Sequence, residues 1–195
     1  IWPTRQKQSL GAYVMRCLQK FQALITKDRS SFQDSNLLYQ LAKQEFGALA
    51  EESIGASHAQ MEMLENLVDR IQQWPMLYQV FMLALLFQDI GKVEKYSRDL
   101  SAVERFQKHA EQSAAVLERS SVLARYYPDP RVQQLVLQLV RHHGLIGHVI
   151  QGEEPFTILE NITADGDERL LDAFVLHAIL AAAAVEEGLL AADLL

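Results

Sequence analysis

Between Pro75 and Phe87 the chain is apolar on nearly every side, and two residues later it places an aspartate, Asp89. A helix of that kind has no face left for water and belongs at the centre of a fold. Its start is equally constrained, because the fixed backbone of Pro75 suits the first turn of a helix. The remaining alphabet agrees: Leu, Ala, Gln and Glu supply 84 of the 195 residues, whereas Val, Ile and Thr supply 27. Straight-chain residues and Ala lose little rotamer freedom in a helix, and β-branched ones are the usual strand formers. The fold class is therefore all-α, and a β-sandwich or barrel is excluded. The length suffices for one good-sized domain with a substantial core.

Helical periodicity places the other elements. Leu10, Tyr13, Val14, Cys17, Leu18, Phe21, Leu24 and Ile25 form one stripe, broken by the polar run at 27–31. A second helix at 35–50 makes this start a helical hairpin, so residues 1–53 read as a basic N-terminal extension and 54–195 as the main domain. His58, Met61, Leu64, Val68 and Ile71 lie on one face of a helix that stops at Trp74-Pro75. Ser101 to Glu104 reads as a capping box, and Asp129-Pro130 as the cap and first position of a helix ending at His143-Gly144. Gly91 marks the end of the central helix. Residues 144–167 read as loop-rich, with a helical turn or two at 156–162. A final helix spans 167–187; its thirteen-residue apolar run, 173–185, contains His177 and is too short for a membrane span.

The net charge of −7 and the lack of a Lys/Arg run argue against nucleic acid as a partner. Residues 1–29 nevertheless carry six basic side chains and one acidic. This basic start suits docking on an acidic surface or an attached domain or partner protein. Cys17 is the single cysteine, which rules out an internal disulfide, and a reducing, cytoplasmic setting is the expectation. The opening Ile1-Trp2-Pro3 suggests a piece of a longer chain.

Asp89 is the residue most out of place. An ionised carboxylate at the C-terminal end of a buried helix is disfavoured by desolvation and by the helix dipole. It requires a positive neighbour, either Lys92 three residues on or a metal ion. His58, His109, His142 and His143 lie on, or at the ends of, apolar helix stripes. Neutral imidazoles and a carboxylate from separate helices are the usual ingredients of a centre for Mn, Fe or Zn. For His177, core packing is the stronger expectation over a role as a surrogate ligand.

These residues carry a family resemblance. Phe87-Gln88-Asp89-Ile90-Gly91-Lys92 resembles the His-Asp-Ile-Gly-Lys signature of the HD superfamily of metal-dependent phosphohydrolases, with His58 thirty positions before the signature's first residue. The stretch from Leu100 to Glu111 is similar to the segment that follows in the HD-GYP branch, and Val140-Arg141-His142-His143 resembles that branch's double-histidine stretch. The resemblance covers roughly 54–188 and implies an HD-type helical bundle. It implies His58, Asp89, His109 and His142 as metal ligands, with His143 the rival for the last place, and Asp89 and Lys92 as the catalytic pair.

Two departures bear on activity. Gln88 stands where the signature has its first His, and the family's late Asp falls at 181–184, a run of alanines. The GYP tripeptide is also absent. The resemblance thus implies an incomplete metal centre, holding Mn, Fe or Zn at a partial site or no metal at all. The implied function is a regulatory or signalling module with weak or no catalysis. The alternative is a phosphohydrolase that acts on a nucleotide or other phosphorylated small molecule through one remaining metal.

Overall fold

The computed structural model describes the chain over residues 10–28, 54–93, 102–150 and 169–192, and at positions 157 and 161; side chains at 54–60, 102–107, 147, 150, 169, 182 and 185–192 are outside that description. Every regular element among the described residues is helical, as the composition predicts. The helices are α1 (Leu10–Ile25), α2 (Ile54–Gln72), α3 (Pro75–Phe87), a 3₁₀ turn (Ile90–Lys92), α4 (Ala102–Ser120), α5 (Val122–Tyr126), α6 (Pro130–His142), α7 (Leu145–Ile150) and α8 (Arg169–Ala192). The expected second helix of the N-terminal hairpin, at 35–50, lies outside the described residues. No helix among the described residues is long and apolar enough to cross a membrane.

The chain forms two compact units: one takes residues up to Arg70 together with those from Ile179 onward, and the other spans Ile71–Ala178. In the first, Val14, Cys17, Phe21 and Leu24 are buried along α1, and Met61, Leu64, Leu67 and Val68 along α2. These spacings of three and four are what one face of a helix requires. Arg16 Nε donates to the carbonyl of Ala184 at 3.2 Å, tying α1 to the late turns of α8. Helix α1 ends through backbone geometry: Lys27 sits in the left-handed region at φ 56°. Asp28 N–H donates to Ala23 at 2.8 Å and Lys27 N–H to Leu24 at 3.1 Å. That pair of bonds is the Schellman closure, here with Lys where Gly is usual.

In the unit 71–178, α3 buries Leu77, Val80, Phe81, Leu83, Ala84 and Leu85, as its apolar sequence demands. It packs on α6, which also packs on α4, and α4 in turn lies against the 3₁₀ turn. Helix α6 begins as its sequence predicts. The Asp129 side chain accepts from Arg131 N–H at 2.8 Å and Pro130 occupies the first turn. Replacing Asp129 with Ala leaves that donor without its acceptor and is expected to cost about 1 kcal/mol, measurable as a shift of the urea midpoint at unchanged slope.

Two expectations change in detail, and a third is not reached by the described residues. The stretch after Gly144 is not all loop, because α7 forms where Leu145 and Ile146 are buried. Helix α8 continues past Gly188 to Ala192. The turns expected at 156–162 fall largely outside the described residues.

Candidate metal centre

Asp89 follows the last turn of α3 and opens the 3₁₀ turn, with φ −113° and ψ 9°. It is 1% exposed, and Gln88 beside it is fully buried. In a 3₁₀ turn, residues three apart lie one above the other. Lys92 N–H accordingly donates to the Asp89 carbonyl at 2.9 Å, and the Lys92 ammonium reaches Asp89 Oδ1 at 2.7 Å. The ion pair anticipated from the spacing is therefore present.

Two imidazoles converge on the same oxygen. His109 Nε2, from the early turns of α4, lies 3.2 Å from Asp89 Oδ1, and His143 Nε2, at the end of α6, lies 3.8 Å from it. The two Nε2 atoms are 2.8 Å apart. His143 Nδ1 lies 2.8 Å from the Val140 carbonyl, an acceptor only, so Nδ1 carries the proton and the neutral ring presents a bare lone pair at Nε2. His109 Nε2–H is then the donor between the two rings.

Asp89, His109 and His143 form a group suited to holding a metal ion. The circle through their three ligand atoms has a radius of about 1.9 Å, and metal bonds to imidazole nitrogen and carboxylate oxygen run at about 2.0–2.2 Å. All three ligand atoms could therefore reach one divalent cation. Charge states fit as well. Burial alone would raise the Asp89 carboxyl, but Lys92, His143 and His109 outweigh it and hold the group below its ordinary value of 3.8. Burial pushes the His143 imidazole below 6.5 against the opposing pull of Asp89. An ionised carboxylate beside neutral imidazole is the state that ligation requires.

The other candidate residues are placed differently. His142 is half-buried and stands outside the three-atom group; burial, then Arg141, lower its pKa against the pull of Glu111. Of the two adjacent histidines, geometry brings His143 to Asp89. The side chain of His58, on α2, lies outside the described residues.

Two positioning features were not read from the sequence. Ser113 Oγ donates to the His109 carbonyl at 2.7 Å and accepts from Gly91 N–H at 2.9 Å, fastening α4 to the turn that bears Asp89. Gly91 itself is required by close approach: a Cβ there would stand 2.5 Å from the His109 carbonyl oxygen and 2.6 Å from Ser113 N. A small polar residue one turn after His109 was the available signal.

Compared with protein-family models, curated proteins and solved structures, the chain matches none.

Proposed function

We propose that this chain contains an HD-type domain that binds a single divalent cation through Asp89, His109 and His143 and serves as a regulatory or signalling module with weak or no catalysis. The observation that carries the proposal is the triangle of ligand atoms, supplied by three separate segments and close enough together to reach one cation. The order of these residues along the chain, and the motifs around them, support the HD assignment. Two imidazoles and one carboxylate favour Mn, Fe or Zn over Mg or Ca, which prefer oxygen ligands.

A modulatory role is favoured because the Lys92 ammonium already neutralises the carboxylate that a second cation would need to share. The alternative is phosphohydrolase action on a phosphorylated small molecule, and the same Lys92 supports it, since an ammonium beside the centre suits a phosphate. A bound cation would supply Lewis-acid polarisation of a phosphate oxygen. The basic N-terminal segment suits contact with an attached domain or a partner protein.

Elemental analysis of protein purified without chelator is expected to give one equivalent of Mn, Fe or Zn, lost in His109→Ala. An aryl phosphate should be hydrolysed no faster by the wild type than by Asp89→Ala. Absence of metal from the wild-type chain refutes the proposal, whereas phosphate release that disappears in Asp89→Ala moves the assignment to the hydrolase.

A further inference from the structure

His177, in the part of α8 that belongs to the unit 71–178, is fully buried. Neither of its ring nitrogens has a hydrogen-bond partner among the described residues. A neutral imidazole always carries one N–H and one lone pair, so two polar functions are withdrawn from water with nothing in return. Such groups are rare in folded proteins, because each forfeits its hydration without a bond to replace it. Plain core packing does not explain this residue, because a Phe or Leu would fill the volume without that cost.

Its surroundings point to a use. The ring lies 5.5 Å from that of His143, centroid to centroid, and meets Phe81 edge-on at 6.2 Å. No hydrogen bond from a described residue anchors the ring.

We infer that His177 is the fourth protein donor of the metal centre, its ring turning toward the space between Asp89, His109 and His143 when a divalent transition metal binds. The inference rests on the proposed function, since it needs a cation at those three residues. In the metal-free chain His177 stands outside their three-atom set. The fourth bond therefore closes on binding, and it satisfies one of the two orphaned nitrogens.

Cobalt(II) serves as the probe, because its visible absorption reports the number and kind of its ligands. His177→Phe is expected to bind cobalt at least roughly ten-fold more weakly than the wild type, since losing a direct donor costs no less than losing a group that only supports one, with an altered visible band. Its metal-free melting temperature should equal or exceed the wild type's. Should that variant fail to fold, long-range proton–nitrogen NMR of the wild-type chain decides: one His177 nitrogen must shift on addition of zinc. Unchanged cobalt affinity and spectrum in the variant, or an unmoved His177 signal, overturns the assignment of His177 alone. A wild-type chain that takes up no cobalt overturns the proposed function instead.

Discussion

Gly91→Ala lowers the melting temperature by roughly 2–12 °C and weakens metal uptake. The new methyl group would overlap the His109 carbonyl, the Ser113 amide nitrogen and Gln112 Cβ, at 2.5, 2.6 and 2.8 Å. Two of these are backbone atoms of α4 and cannot swing aside, so the helix itself must move. Overpacking of this kind costs about 1–3 kcal/mol, and in a chain of this length each kcal/mol is worth about 2–4 °C. The displacement acts where His109 is held, so cation affinity falls with stability. Gly11→Ala is the control: nothing lies within 4 Å of a Cβ there, inside a helix. That change should raise stability by up to about 1 kcal/mol. Calorimetry of the two variants checks both signs, and equal melting temperatures would contradict the close approach at Gly91.

The metal-free chain is acid-labile, losing about 2 kcal/mol between pH 7.5 and pH 5. In the unfolded chain His177 titrates near 6.5, whereas burial holds it near 3 in the fold. Below 6.5 the unfolded state takes up a proton that the folded state refuses, and the loss continues until the pH reaches about 3. Its full extent is at most about 5 kcal/mol. His143, lowered by burial, acts in the same direction. Asp89 adds to the loss at lower pH: its held-down carboxyl contributes stability above 3.8, which disappears as the pH falls through the lowered folded value. Denaturant midpoints from pH 7.5 to pH 4.5 test this, and His177→Phe should flatten the profile. A wild-type profile that is level down to pH 5 contradicts it.

The elements most legible in the sequence are those fixed by local chemistry. Pro75 and the all-round apolarity of 75–87 gave the central helix, and Asp129-Pro130 gave the start of α6 at the residue where its capping bond forms. The Asp89–Lys92 pair was legible because a spacing of three becomes a contact within one turn. His142 and His143 could also have been separated by phase. With 100° per residue, His143 falls roughly 10° from the middle of the stripe formed by Val132, Leu135, Val136, Leu139 and Val140, and His142 roughly 90° from it. Distance from Leu139 alone treated the two as equals.

Gly91 was not legible in the same way. Locally it resembles a helix stop, and its necessity comes from a helix that begins eleven residues later in the chain. The orphaned nitrogens of His177 were hidden for a similar reason, since the absence of a partner is a property of the packed interior. Helix α7 was masked by Gly144 and Gly147, whose turn signals yield to the burial of Leu145 and Ile146.

The Ser113 hydroxyl, bonded at once to the Gly91 amide and the His109 carbonyl, makes the Asp89 turn and the His109 helix move as a single body. His143 reaches the same place from the end of α6, outside that bonded pair. A cation held there would meet two of its donors on that one frame, and the third, His143, on a separate helix end where its Nδ1–H is tied to the Val140 carbonyl.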